Sequence, residues 1–214
     1  MVSSQLSKNI PSLLVAGIIA ALLAGCATTF IPISWGMRDK VLRISQQDEV
    51  LKILFHRYDP ERNTLRVDGA SFDIVEMPHK DWRFEGAYRR EYKLIYRNLD
   101  IIPADGDLRN ILAHEMAHHI WANFLTKEQK KGWCRYLQEN PSRWQALVRS
   151  VYADAGTYDD EDFAYTVEFP RKVDVEELAR LAIITEDEMR RWVKANATSE
   201  PLESRVVKVS GSWQ

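Results

Sequence analysis

The order of patterns along the chain predicts an α+β fold, a small antiparallel sheet followed by a helical core. Three observations carry that expectation. Apolar residues recur at helical spacing from Val50 to Tyr58. The period then shortens to two in stretches rich in β-branched and aromatic residues up to Asn98. From Asp105 onward the cues are helix starts, capping residues and helical periodicity.

The 214 residues carry 45% hydrophobic and 28% charged side chains, which suits one compact globular domain. A formal charge of −2 and a pI near 6.2 provide no broad basic field, so nucleic acid is excluded as a partner on electrostatic grounds.

Residues 1–25 read as an export signal. Lys8 precedes an apolar run from Leu13 to Leu23, bounded early by Pro11 and Ser12 and too short for a comfortable membrane span. Leu23-Ala24-Gly25-Cys26 ends that run and resembles the lipobox of bacterial lipoproteins. That resemblance implies lipidation of Cys26, a membrane anchor and a cell-envelope location facing the periplasm, with Ala27 favouring the outer membrane. Cys134 is then the one remaining thiol, so no internal disulfide can form, and its setting among Trp133, Tyr136 and Leu137 suggests a small buried group.

Residues 26–44, with Pro32 and Gly36, read as a tether, and residues 45–196 as the folded domain. Ser45 and Asp48 form a capping-box pattern for a first helix. Thr64–Val67 and Phe72–Met77 flank Asp68-Gly69 as a hairpin, and 87–98 reads as a further strand stretch with Tyr88, Tyr92, Leu94 and Tyr96 alternating, one sheet face being wet. Asp105 and Asp107 are candidate caps for a helix running to Phe124. Thr126 with Gln129 caps the next. Asn140-Pro141 opens another, Asp159 or Asp160 a fourth that Pro170 closes, and Asp174/Glu177 and Thr185/Glu188 two short terminal helices. Residues 197–214 form a polar tail.

His114-Glu115-Met116-Ala117-His118 fits H-E-x-x-H. Residues i and i+4 share a helix face, so two imidazoles can meet one ion, while Glu115 stands beside it as a proton acceptor. By composition the motif arises in roughly 0.01 of shuffled chains. Ile111, Leu112, Ala117, Ile120, Trp121 and Phe124 line several sides of the helix, which is therefore buried. Two histidines and a glutamate are costly there without a metal or partners. His119 points away from the shared face and reads as a packing or surface residue.

A zinc hydrolase uses three protein ligands and leaves one position to water. The acidic stretch Asp154 to Asp162 offers the third. H-E-x-x-H followed by Glu161-Asp162-Phe163-Ala164 resembles the minimal zincin metallopeptidases of gluzincin type, over roughly residues 105–169. The resemblance implies a zincin core, Zn²⁺ as cofactor, and Glu161 as the ligand from a second helix. Tyr165 stands where many relatives carry a second Glu, and Glu168 is a candidate to take that role from the next turn. Gly156-Thr157-Tyr158-Asp159 resembles the Gly-Thr-x-Asp of aspzincins, so Asp159 ranks behind Glu161, and Asp162 third.

Tyr152, and after it Tyr158, are candidates to donate to an oxyanion. The expected activity is peptide or amide hydrolysis with Glu115 as general base, on polypeptides or peptidoglycan peptides. The alternative is a non-catalytic, zinc-stabilised lipoprotein that binds a partner at the envelope.

Overall fold

The computed structural model describes residues 31–58, 73–77, 86–98, 104–152 and 154–197. The signal segment, Cys26, the Asp68-Gly69 hairpin with its strand 64–67, and residues 198–214 of the tail lie outside the described residues.

The folded part begins before the expected boundary. Ile31–Pro32 form strand β1, and helix α1 spans Trp35–Gln47, beginning inside the segment 26–44 expected as a tether and ending three residues beyond it. Ser34 accepts from Met37 N at its start, and Val41 and Ile44 are buried beneath it. These two burials are what a linker reading of Pro32 and Gly36 overlooks. Helix α2, Glu49–Tyr58, follows at once. Asp48 caps it, accepting from Leu51 N at 2.9 Å, whereas Ser45 lies inside α1 and donates to Leu42 O, so the expected Ser45 cap is corrected by one turn. Val50, Leu51, Ile53, Leu54 and Phe55 are buried along α2.

Strands β2 (Asp73–Met77), β3 (Gly86–Arg89) and β4 (Leu94–Asn98) join β1 in one sheet of order β1-β2-β4-β3. The sheet is mixed, not antiparallel: β2 and β4 run parallel, with Val75 opposite Tyr96, while β1 to β2 and β3 to β4 are antiparallel. The stretch expected as one strand is two, reversed through residues 90–93, where Lys93 has φ 52° and Tyr92 points to solvent. Central β4 is buried at all five positions, so no wet face exists there.

Helix α3, Asp105–Asn123, crosses the core. Leu108, Leu112, Ala113, Met116, Ala117 and Ile120 are almost wholly buried around its circumference, which fixes it as an interior helix. Ala104 holds its cap position, and Asp105 inside the first turn pairs with Lys40 at 3.2 Å and Arg43 at 2.9 Å, which holds its carboxyl below the usual range.

Helices α4 (Lys127–Glu139), α5 (Arg143–Val151), α6 (Tyr158–Glu168), α7 (Lys172–Arg180) and α8 (Glu186–Ala197) complete the domain. Thr126 and Gln129 form the expected reciprocal box, as do Thr185 and Glu188. Asp174 accepts from Arg171 N, so α7 starts two residues before the expected Asp174 start. Helix α6 packs along α3, and Phe163 of α6 lies edge-on to Trp133 and beside Trp121. Edge strand β3 packs on α3 from the sheet side.

Candidate metal centre

Two helices make the site, and their contact with each other follows from composition. Ala113 and Ala117 of α3 and Ala164 of α6 are fully buried small residues, which let two backbones approach closely. Across that contact α3 presents His114 and His118, and α6 presents Asp160, Glu161 and Glu168.

The two Nε2 atoms of His114 and His118 stand 3.2 Å apart. Glu161 faces both, with Oε2 3.6 Å from His114 Nε2 and Oε1 3.7 Å from His118 Nε2. These carboxylate distances are too long for hydrogen bonds. They suit a shared ion, because donors about 2.05 Å from a tetrahedral centre lie about 3.3 Å from one another. Glu161 Oε2 is buried without a hydrogen-bond partner among the described residues. A buried orphan oxygen facing two imidazole nitrogens is what a cation would satisfy. His114, His118 and Glu161 therefore form a group that could hold a metal ion.

The remaining imidazole nitrogens are taken. Glu168 Oε2 lies 2.9 Å from His114 Nδ1, and Asp160 Oδ1 lies 2.8 Å from His118 Nδ1. A carboxylate on Nδ1 fixes the tautomer that leaves Nε2 free to bind. Arg109 steadies the first of these by donating to the Glu168 carbonyl at 3.1 Å. Tyr165, in the position where a second Glu was considered, instead packs its ring edge-on to His114 at 4.6 Å and stacks on Trp144.

Burial alone would discharge His114, but Glu161 and Glu168 reverse this and hold its pKa well above the ordinary value. His118 is likewise raised against burial by Asp160. For Glu161 burial works upward, and His114 and His118 outweigh it to lower its carboxyl. Glu115 is different: burial dominates and raises it, and its Oε2 has no partner among the described residues.

The other ranked acids point elsewhere. Asp162 is buried against Arg149 Nη1 at 3.1 Å and bridges α5 to α6. Asp159 stands near Cys134, whose thiol is pushed up to about 12 by burial first and by the charge of that acid second, as in a structural cysteine. Tyr152 reaches Glu161 and Tyr165, and burial with those contacts raises its phenol strongly. Tyr158 donates to the Tyr152 carbonyl at 3.3 Å and lies under Arg149, a structural position. His119 packs internally, its Nδ1 2.9 Å from the Tyr88 hydroxyl.

Asp160 was missed by sequence reasoning. It reads as a helix-dipole acid, and its sole distinguishing signal is adjacency to Glu161. No family model, curated protein or solved structure matches the chain.

Proposed function

We propose that the chain is a zinc-dependent hydrolase of gluzincin-type zincin architecture, cleaving peptide or amide bonds, with His114, His118 and Glu161 as metal ligands and Glu115 as general base. The observation that carries this reading is the convergence of two Nε2 atoms and one carboxylate on a common point, with both Nδ1 atoms already held by acids. Imidazole with carboxylate is a donor set that zinc accepts, and three protein donors leave room for a water or substrate.

Bound zinc would supply Lewis acidity, bringing the pKa of a water toward ~7 and polarising a carbonyl. The chain's own groups do the rest. Glu115, next to His114 on α3, has a carboxyl raised by burial, with no donor to its Oε2 among the described residues, so it holds a proton more readily than a solvated acid does. It accepts the proton from water and returns it to the leaving amine, which is why an amide is the fitting substrate. Tyr152, kept protonated by burial and by its contacts with Glu161 and Tyr165, stands beside the ligand carboxylate and would turn its hydroxyl to the carbonyl oxygen as charge develops there. The lipobox-like end of the export signal supports action at the cell envelope, on polypeptides or peptidoglycan peptides.

Turnover of a peptide library by the zinc-loaded protein, its chelated form and Glu115→Gln tests this. The expected result is zinc-dependent cleavage that falls about 10²- to 10⁴-fold in Glu115→Gln while zinc is retained. Zinc binding without turnover in the parent would replace the hydrolase reading with that of a zinc-stabilised binding protein.

A further inference from the structure

Gly86 opens edge strand β3, opposite Arg97 of β4, and sits directly over the active-site helix. Its backbone does not ask for glycine, since its φ is not in the left-handed region. Space does. A Cβ at this position would lie 2.8 Å from Ile111 Cγ2, 3.0 Å from Glu115 Oε1 and 3.4 Å from Glu115 Cγ. Ile111 and Glu115 are one helical turn apart, so the bare Cα of Gly86 forms one wall of the recess that holds the Glu115 carboxylate.

That wall matters because hydrogen bonding among the described residues leaves Oε2 of the carboxylate unheld. Glu115 is 5% exposed, and its Oε2 has no hydrogen-bond partner among the described residues. Its position is set by packing. Retreat of the strand to admit a methyl group is opposed as well. Two residues on, Tyr88 is fastened to the same helix through its hydroxyl, 2.9 Å from His119 Nδ1 and 3.0 Å from Asn123 Nδ2, with its ring edge-on to His119. Residues 86 and 88 share a strand face, as Glu115 and His119 share a helix face, so the fastening lies one step from the recess.

We propose that Gly86 is a positioning residue for Glu115: the absence of a side chain at this point of β3 sets where the carboxylate of the general base stands. This rests on Glu115 being the base. The three atoms nearest to a Cβ at this position belong to Ile111 and Glu115 and none to His114, His118 or Glu161, so the effect is expected to be separable from metal binding.

The test compares zinc-loaded parent, Gly86→Ala, Ile111→Leu and Gly86→Ala/Ile111→Leu. Leucine lacks the Cγ2 branch, so the double variant relieves the aliphatic clash and leaves the one with Glu115. Zinc affinity is read by chelator competition, kcat and KM on a cleaved peptide, and the Glu115 side chain by crystallography. Expected are zinc affinities within about twofold of parent, a displaced Glu115 carboxylate in both Gly86→Ala proteins, and kcat lowered about 10- to 100-fold with KM little changed, the size of effect that about 1 Å of misplacement produces. Restoration of parental kcat by Ile111→Leu, or a Glu115 unmoved in the double variant, overturns the proposal. If the parent turns nothing over, the hydrolase reading fails, and the crystallographic position of Glu115 still decides whether Gly86 places it.

Discussion

An imidazole ligand is only as well placed as the nitrogen that does not touch the metal. In His114 and His118 that nitrogen is Nδ1, and each meets a carboxylate within 3 Å. Free imidazoles would sample other rotamers and both tautomers, and each lost orientation lowers the fraction of molecules ready to bind. Glu168→Gln and Asp160→Asn keep size and remove charge, so each should weaken zinc about 10- to 100-fold in chelator competition at one pH, with the thermal melt of the metal-free protein little affected. Equal affinity in parent and both variants would reduce these acids to bystanders. The Glu168 contact also accounts for Tyr165. Once the acid comes from the next turn, the earlier position is free to carry a ring that walls His114.

At the scale of elements, what was legible depended on how local the signal is. The boxes at Thr126/Gln129 and Thr185/Glu188, the apolar circumference of α3 and the acidic first turn of α6 are all written within a few residues, and each stands where expected. Helix α1 was hidden, because Gly36 and a nearby proline imitate a linker, and burial of Val41 and Ile44 depends on partners distant in sequence. The parallel pairing of β2 with β4 is equally non-local. Nothing in either strand states the direction of its neighbour, and the reversal at 90–93 lacks the Asn-Gly or Asp-Gly that marks a tight hairpin. The same division runs through the site. His114, Glu115 and His118 announce themselves by spacing, and Glu161 through its small motif. The role of Asp160, and the need for Gly86, exist only once α6 and β3 lie against α3.

Over the whole molecule, the site links two helices whose candidate ligands His118 and Glu161 lie 43 residues apart, so metal binding should couple to global stability. The sign follows from the shifts. His114 and His118 are raised in the folded metal-free protein, so their charged pairs with the acids stabilise it fully below about pH 6.5 and lose that contribution as pH rises through the raised values. Glu161 is lowered, so its contribution is present above its ordinary value and fades as pH falls through the depressed one. Zinc requires neutral imidazoles, so its stabilisation runs opposite to that of the histidine protons. Scanning calorimetry from pH 5.5 to 8.5 should show the zinc-dependent rise in Tm growing with pH. At a hundredfold excess over Kd it should reach about 5–10 °C, from about 2.7 kcal/mol of linkage. A zinc effect independent of pH would mean that the ion binds away from the histidines.

The most direct measurement is the location of the ion itself, by anomalous diffraction at the zinc edge from crystals of the zinc-loaded protein. One peak is expected, bonded by His114 Nε2, His118 Nε2 and the Glu161 carboxylate, with Asp159 still turned to Cys134 and Asp162 to Arg149. A peak bonded by Asp159 in place of Glu161, or no peak between the two histidines, would contradict it.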